Sequence, residues 1–398
     1  PRALLFGNPE RNLPSISPDG KQIAYLAPEN GVLNVWVGPA SDLRAAKAVT
    51  HEKQRGVQRY AWAYSSHHIL YPQDKGGDEN FHIYLVDLDK GETKDLTPMD
   101  RVAARIEDLS PKIPGEVLLA INNRDPKNHD LYRADLGTGK LTLVAENKEG
   151  LTEFVTDDDY APRIAQRLLP DGGKEILKPD PKTKGAWVSY IKIPAEDMLT
   201  TNALELDRTG KALYLLDSRG RDTSGLFSLD LTTGKQTLLA EDPKADMQAV
   251  LTHPKEKRVQ AAASNRERRR WQVLDKTIQV DFDVLAKASR GDFQVVSRSL
   301  DDKTWVVSYL LSDGPMRFYR YDRPAKKVEY LFSNQRALEE APLVPMSPVT
   351  IPSRDGLELV SYLTLPKGAD PDGDGKPDKP LPMVLLVHGG PGGATCGA

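Results

Sequence analysis

The sequence predicts an all-β fold, a seven-bladed β-propeller of four-stranded blades followed by a segment of different character. The first observation is a repeated turn of the Ser-Pro-Asp-Gly-Lys kind, seen at 17–21, which is followed by a strand-like apolar stretch. The second is a strand about twenty residues after each turn that usually ends in Asp, as at 84–87 and 227–230. Short strands at an even spacing, joined by Gly, Asp and Asn turns, are typical of propellers.

The turns define the number and length of the repeats. They are anchored at Asp19, Ser65, Lys112, Asp171, Thr209, Lys255 and Asp301. The 282 residues from Asp19 to Asp301 make six steps that average 47 residues, which suits a blade of four strands. The strand expected after Asp171, at 189–193, lacks the Asp, so we interpret the fourth unit as degenerate. A β-sandwich, which needs no fixed period, is the alternative fold.

Two strand predictions concern how the ring closes. Residues 12–17 supply an inner strand for the first unit, and residues 328–332 supply an outer strand for the seventh. We therefore expect the ring to close by packing of its two ends, without a strand exchanged between them. The helix-like stretch 278–288 is expected as an excursion between blades six and seven, and the propeller is expected to span 1–345.

After residue 345 the pattern changes. Residues 349–353 and 357–365 flank Arg354-Asp355-Gly356 and predict a hairpin. The run 383–387, Met-Val-Leu-Leu-Val, is continuously apolar, which is typical of a central strand covered on both faces. It leads directly into His388-Gly389-Gly390-Pro391. Without covering helices, 383–387 is expected to be the most aggregation-prone stretch.

Composition excludes several classes of partner. The 398 residues carry 54 Lys and Arg against 57 Asp and Glu, a net charge of -3, so we expect neither nucleic acid nor membrane as a partner. A single cysteine, Cys396, excludes internal disulfides and cysteine-based metal clusters. The chain begins at Pro1 and not at Met, so we expect an upstream piece to have been removed. This slightly favours a periplasmic or secreted location over a cytoplasmic one and leaves the compartment open.

A propeller followed by an Arg-Asp-Gly hairpin and a strand ending in His-Gly-Gly-Pro resembles the prolyl oligopeptidase family of serine peptidases. The acylaminoacyl peptidase and dipeptidyl aminopeptidase branch is the most similar, and the resemblance covers the whole chain. It implies that 346–398 begin an α/β-hydrolase domain that performs the chemistry. It also implies that the propeller sits over the active site of this domain and restricts entry to short peptides. No cofactor is implied.

The sequence departs from this family at the nucleophile. Such a hydrolase needs a serine in Gly-x-Ser-x-Gly, and no such motif occurs here. The nearest phrase is Asp222-Thr223-Ser224-Gly225, which lacks the first glycine, so Ser224 is expected to be an ordinary turn serine. The tail 392–398 also differs from the continuation expected of the family. The sequence therefore predicts a truncated hydrolase domain and a chain that is inactive alone.

By resemblance, the backbone amide of Gly390, with that of Gly389 next, is the expected donor for half of an oxyanion hole. A plain strand-ending turn is the alternative for these residues. The function that the resemblance implies is the substrate-gating portion of a serine peptidase that hydrolyses short peptides through an acyl-enzyme. A non-catalytic propeller used as a binding scaffold is the alternative function, because propellers serve many unrelated roles.

The predicted loops between second and third strands, at 122–125, 217–222 and 265–270, are rich in charge. Strand direction predicts that they lie on the face from which the connector 334–346 leaves, opposite Asp19, Asp171 and Asp301. If the hydrolase domain docks on that face, arginines of these loops border the chamber where peptides enter and can pair with a peptide carboxylate. The candidates are Arg124, Arg219, Arg221, Arg266 and Arg268. Solvation of ordinary hairpin loops is the alternative interpretation.

The sequence offers no convincing metal site. Four aspartates with Gly375 resemble the first half of a calcium loop, but position 12 of that loop is Leu381 and Pro377 interrupts it. These aspartates are Asp370, Asp372, Asp374 and Asp378. A solvated acidic turn is therefore favoured. The seven histidines form no His-x-x-x-His pair, so no zinc site is expected.

Overall fold

The computed structural model describes residues 2–387 and contains seven antiparallel sheets of three or four strands in sequence order, followed by a two-stranded sheet. Six of these sheets pair four strands each, and the sixth sheet in sequence pairs three. First strands of neighbouring sheets contact one another, for example those of the fourth and fifth sheets. First strands are therefore innermost, and the predicted seven-bladed propeller is confirmed.

A short helix α1 (Arg2–Phe6) precedes the first four blades. Blade one contains β1 (Asn12–Ile16), β2 (Gln22–Glu29), β3 (Val32–Pro39) and β4 (Lys47–Ala48). Blade two contains β5 (Ala61–Trp62), β6 (His68–Gln73), β7 (His82–Asp87) and β8 (Glu92–Asp95). Blade three contains β9 (Ala104–Asp108), β10 (Glu116–Asp125), β11 (Asn128–Asp135) and β12 (Leu141–Ala145). Blade four contains β13 (Glu153–Thr156), β14 (Pro162–Leu168), β15 (Lys174–Pro179) and β16 (Trp187–Ile193).

The remaining blades, a helix and a final hairpin complete the described chain. Blade five contains β17 (Asn202–Leu206), β18 (Ala212–Asp217), β19 (Gly225–Asp230) and β20 (Gln236–Ala240). Blade six contains β21 (Met247–Thr252), β22 (Val259–Asn265) and β23 (Arg269–Val273), and helix α2 (Gln279–Ala288) follows it. Blade seven contains β24 (Asp292–Arg298), β25 (Thr304–Leu310), β26 (Arg317–Asp322) and β27 (Lys327–Ser333). Strands β28 (Met346–Pro352) and β29 (Glu358–Thr364) then pair as the predicted hairpin.

The sequence period is visible as hydrogen bonds between equivalent positions of neighbouring blades. The Trp62 indole N–H donates to the carbonyl of Ser15, and the Tyr60 hydroxyl donates to that of Leu13, both across 47 residues. The Ser110 hydroxyl donates to the carbonyl of Asp158 across 48 residues. One blade length therefore separates the partners in these contacts between blades one and two and between blades three and four.

The structure corrects the assignment of the fourth unit. Its turn between first and second strands is 157–161, whereas Asp171 lies between the second and third strands, β14 and β15. The stretch predicted as a third strand belongs to β16, the outermost strand of that blade. A turn at Asp159 lies 47 residues after Lys112, to which it is ion-paired at 2.6 Å. The fourth blade is therefore regular in length, and only its turn sequence departs from the Ser-Pro-Asp-Gly pattern.

The ring closes between blades one and seven without an exchanged strand, as predicted. Strand β1 pairs with β2, and β27 is the outermost strand of blade seven. The Ser297 hydroxyl lies 3.0 Å from that of Ser15 and accepts the backbone N–H of Ile16 at 3.1 Å. Tyr25 of blade one also packs on Phe332 of blade seven, with ring centroids 5.5 Å apart. The closure is thus made by side-chain packing and a few hydrogen bonds.

Helix α2 follows the third strand of blade six, at the point in the sequence where the other blades have a fourth strand. Its buried Phe282 meets Trp271 of β23 at 5.5 Å and Trp305 of β25 at 6.4 Å between ring centroids, both edge to face. Such aromatic pairs contribute about 0.5–1.5 kcal/mol each beyond the burial of their surface. The predicted helical excursion is confirmed, and it packs blade six against blade seven.

The predicted central strand at 383–387 is not formed in the described part of the chain. No strand within residues 2–387 pairs with it, and its side chains are largely exposed, Val384 to 93% and Leu386 to 92%. An extended apolar run needs neighbouring strands to satisfy its backbone and helices to cover it. The described residues supply neither. Across the described residues, no helix has the length and apolar character required to cross a membrane.

Candidate functional site at the connector face

Strand direction defines two faces of the ring. We call the face on which β27 ends at Ser333 and on which the loops 218–224 and 266–268 lie the connector face, and the opposite one the far face. The hairpin β28–β29 lies on the connector face, because its Tyr362 hydroxyl donates to the carbonyl of Glu267 at 3.0 Å. The candidate arginines lie at this face, at the ends of second and third strands or in the loops between them. Asp19 and Asp301 lie in far-face turns, whereas Asp171 lies on the connector face, contrary to the prediction.

Two of the predicted arginines form two-point pairs with carboxylates of their own blade. Arg219 donates from Nε and Nη2 to the two oxygens of Asp217, at 2.9 and 2.7 Å. Arg124 does the same to Asp130, at 2.7 and 2.8 Å, and also donates to the carbonyl of Asn147. Although burial raises the pKa of Asp217, the hydrogen bonds from Arg219 lower it further, so the pKa ends below its ordinary value. The pair of Asp217 with Arg219 is therefore charged at neutral pH.

The other three predicted arginines are also paired. Their partners are Glu241 for Arg221, Asp292 for Arg268 and Glu358 for Arg266. The first two partners belong to the propeller, whereas Glu358 belongs to β29. A guanidinium carries five N–H donors, and these pairs leave the Nη1 group of Arg219 and of Arg268 without a partner among the bonds just described. A peptide carboxylate could therefore bind these two arginines only through the N–H groups that remain.

The same face carries two pairs that the sequence reasoning missed. Arg55 Nε lies 2.8 Å from Asp74 Oδ1, and Arg290 Nη1 lies 2.8 Å from Asp313 Oδ2. Both arginines lie in connections between blades, after a fourth strand or its substitute helix and before the next first strand. Those connections lie on the same face as the loops between second and third strands. The topological argument applied to the loops therefore also predicts these two arginines.

The expected oxyanion donors Gly389 and Gly390 lie outside the described residues. Ser224 is 1% exposed, and its hydroxyl donates to the carbonyl of Met247 at 3.3 Å, so it serves the packing of blade five on blade six. Ser224 is thus a structural serine, as predicted.

Three of the four loop aspartates come together. Side-chain oxygens of Asp370, Asp372 and Asp374 lie within 4.8 Å of one another and are largely exposed. Asp370 accepts hydrogen bonds from the backbone N–H groups of Asp374 and Gly375, both at 3.0 Å. These amides offset part of the negative charge, which suits the solvated acidic turn that the sequence favours.

The far face carries a cavity of about 490 Å³, lined by the turns between first and second strands of blades three to six. Lys257 of blade six reaches Asp158 of blade four at 2.5 Å, past the turn of blade five. Burial raises the pKa of Asp108 and of Glu205, and Lys257 opposes both shifts. Charges from four blades therefore meet on this face, at the ends of the innermost strands.

The raised pKa of Glu205 gives a testable pH dependence of stability. A carboxyl with a raised pKa binds its proton more tightly in the folded state, so stability falls as pH rises from the ordinary carboxyl range, about pH 4, through the raised pKa. Glu205→Gln is expected to be more stable than the parent at pH 7, with the difference disappearing below about pH 4. Urea denaturation at a series of pH values measures this difference in stability, with Glu196→Gln, at an exposed position, as the control. A parent and variant that differ equally at pH 3 and pH 7 would contradict it.

Comparisons with known proteins agree with this architecture. No protein-family model matches the chain. It is 47% identical over 390 residues to dipeptidyl aminopeptidase BIII of Pseudoxanthomonas mexicana, covering 98% of this chain and 56% of that protein. It is 31% identical over 423 residues to dipeptidyl peptidase family member 6 of Caenorhabditis elegans, again covering 98% and 56%. The chain thus spans about half the length of the curated relatives it matches.

Solved structures show the same fold. A prolyl endopeptidase matches with a TM-score of 0.64 at 13% identity, covering 91% of this chain and 55% of the other. Dipeptidyl peptidase 4 of Porphyromonas gingivalis matches with a TM-score of 0.57 at 11% identity, covering 92% and 66%. The relatives are similar to this chain along nearly all of its length, and the structures share its propeller. The chain is therefore similar, along nearly all of its length, to the propeller portion of prolyl oligopeptidase-type peptidases.

Proposed function

We propose that this propeller gates substrate entry in a serine peptidase that hydrolyses short peptides through an acyl-enzyme. The observation that carries the proposal is the position of the hairpin β28–β29, which follows the seventh blade and lies on the connector face. Residues 1–345 are then the propeller and 346–398 the beginning of the hydrolase domain. A hydrolase domain continuing from this hairpin would cover the connector face, so peptides would meet the loops of that face before the catalytic residues.

The chemistry assigned to this chain is limited to one backbone group. In an acyl transfer the serine oxygen attacks the peptide carbonyl, and the developing oxyanion needs two N–H donors. We propose the amide of Gly390, with that of Gly389 next, as one of them. The nucleophile, the base and the second donor would belong to the part of the relatives that this chain does not span.

We propose peptides as the substrates because both curated relatives are named as dipeptidyl peptidases or aminopeptidases. The arginines of the connector face supply the positive groups that a peptide carboxylate could meet. Since Arg219 is engaged with Asp217 through Nε and Nη2, a carboxylate would reach it through its remaining N–H groups. One charge-assisted hydrogen bond of this kind is worth about 1.5–3 kcal/mol when shielded from water.

A serine-directed fluorophosphonate probe tests the proposal. We expect no stoichiometric labelling of this 398-residue chain, because it holds no Gly-x-Ser-x-Gly motif, and no hydrolysis of dipeptide amides. The same protein extended to the length of its relatives is expected to be labelled at one serine and to hydrolyse them. A propeller that serves only as a binding scaffold would be labelled in neither form, and labelling of Ser224 would show that the nucleophile is misassigned.

A further inference from the structure

Loop 266–268 of blade six bonds with the final hairpin. Arg266 forms an ion pair with Glu358 at the start of β29, and Lys244, which precedes blade six, lies 3.8 Å from the same carboxylate. The Tyr362 hydroxyl lies 3.1 Å from the carbonyl of Arg266 and 3.0 Å from that of Glu267. Side chains of the hairpin therefore bond both to a charged group of blade six and to its loop backbone.

The arginines that follow Arg266 in the loop and at the start of β23 have other partners. Arg268 pairs with Asp292, and Arg269 donates to Gln294 at 2.7 Å, both in β24 of blade seven. Those two contacts join blade six to blade seven within the ring. Arg266 instead reaches outward to the hairpin, and its side chain is only 19% exposed, whereas Glu358 is 56% exposed. These arginines thus differ in what they bind: Arg268 and Arg269 join blade six to blade seven, and Arg266 binds the hairpin.

The hairpin is consequently attached at two places. The covalent connection leaves blade seven at Ser333, and the non-covalent contact is made on the neighbouring blade six. A single covalent attachment would leave the hairpin free to turn about the connector, whereas two attachments fix its orientation. The second attachment is weak, because solvent-exposed ion pairs contribute little to stability. A contact of that strength can hold the hairpin against blade six and can also break.

We infer that Arg266, Glu358 and Tyr362 form a releasable latch that fixes the hairpin, and whatever domain continues from it, over the connector face. Arg266 is thereby a positioning residue, and this replaces the substrate-binding role that its charge suggested from sequence. Only the consequence for peptide hydrolysis rests on the proposed function. The latch itself is a property of the present chain and is testable in it.

Pulsed electron paramagnetic resonance on the full chain measures the latch. One spin label is placed at exposed Lys367, beyond the hairpin, and the other at exposed Thr232, in blade five, after Cys396→Ser removes the native thiol. The parent is expected to give one narrow distance distribution. In the double variant Arg266→Gln with Tyr362→Phe, the ratio of docked to undocked hairpin is expected to fall about tenfold, seen as a second, broad component.

Two further variants separate the latch from a general effect of charge. Arg221→Gln removes another arginine–glutamate pair from the same face without touching the hairpin, and it is expected to leave the distribution unchanged. The exchange Arg266→Glu with Glu358→Arg restores the opposite charges and is expected to restore most of the docked component. A double variant with the parent distribution, or an equal broadening in Arg221→Gln, would overturn the inference.

The distance measurement and the peptidase assay fail independently. If the double variant releases the hairpin but the extended protein cleaves no peptide, the latch stands and the proposed function falls. If the extended protein cleaves peptides and the distances do not respond, the latch falls alone. In an active extended protein, Arg266→Gln should lower kcat/KM for a peptide and for a small ester by the same factor, because a displaced domain affects both substrates.

Discussion

Replacing Asp281 by Ala is expected to lower the free energy of unfolding by about 3 kcal/mol, the lower end of what breaking a buried ion pair costs, because its partner Arg323 keeps a second carboxylate in Asp302. Asp281, in the first turn of α2, is 0% exposed. It accepts a hydrogen bond from the Tyr321 hydroxyl at 2.7 Å and one from Arg323 Nε at 2.8 Å, and it is also paired with Lys326. Without this carboxylate, the buried Tyr321 hydroxyl would lose its acceptor and Arg323 would lose one of its two carboxylate partners, whereas Lys326 is 41% exposed.

Helix α2 makes this carboxylate structurally important. The helix replaces the fourth strand of blade six in sequence, and Asp281 binds it to β26 and to the turn after it in blade seven. Urea denaturation gives the unfolding free energy, with equal slopes required for a direct comparison. The matched control is Asp283→Ala, an exposed position on the same helix, which should change stability by no more than about 0.5 kcal/mol. A loss below about 1 kcal/mol at Asp281 would mean that Arg323 and Lys326 reach water once released.

The architecture was predictable from the sequence because the repeat is a property of the whole chain. Each blade contributes its own turn, and bonds such as those of Trp62 and Ser110 join positions one blade length apart. The fourth turn was misassigned because Pro-Asp-Gly at 170–172 favours a tight turn at any hairpin. Turn chemistry is local, whereas the face on which a turn lies depends on how many strands precede it in the blade.

The ion-pair partners of the candidate arginines were harder to predict than the face of the ring on which these arginines lie. The pairing of Asp217 with Arg219 joins neighbours in sequence, so the sequence contains both halves of that contact. The pairing of Arg266 with Glu358 spans 92 residues and depends on where the hairpin lies after blade seven. A loop arginine therefore suggested a free binding group in each case, although the structure provides each candidate with a carboxylate from this chain.

Arg219→Ala in the extended protein is expected to lower kcat/KM for short peptides about tenfold while sparing a small ester. The reasoning rests on the proposed function and on the donors left over after the pair with Asp217. Losing one charge-assisted hydrogen bond to a peptide carboxylate costs about 1.5–3 kcal/mol, and the lower end, which suits an arginine side chain that is 29% exposed, corresponds to about tenfold. A two-point contact with the peptide carboxylate would allow a loss of up to about a hundredfold. Because Asp217 already occupies the Nε and Nη2 side of the guanidinium, the smaller figure follows.

The measurement compares both substrates in the same preparations. Arg208→Ala, which removes an arginine paired with Glu256 on the far face, is the matched control and should leave both rates unchanged. The double variant Asp217→Asn with Arg219→Ala tests whether a stranded carboxylate disturbs the loop, since the Asp217 side chain is only 6% exposed. If it shows the same selective loss for peptides, the lost guanidinium is the cause. A residue that contacts only the peptide carboxylate cannot slow a substrate that has none. Equal losses for peptide and ester, or an equal loss in Arg208→Ala, would therefore assign Arg219 to the stability of blade five instead.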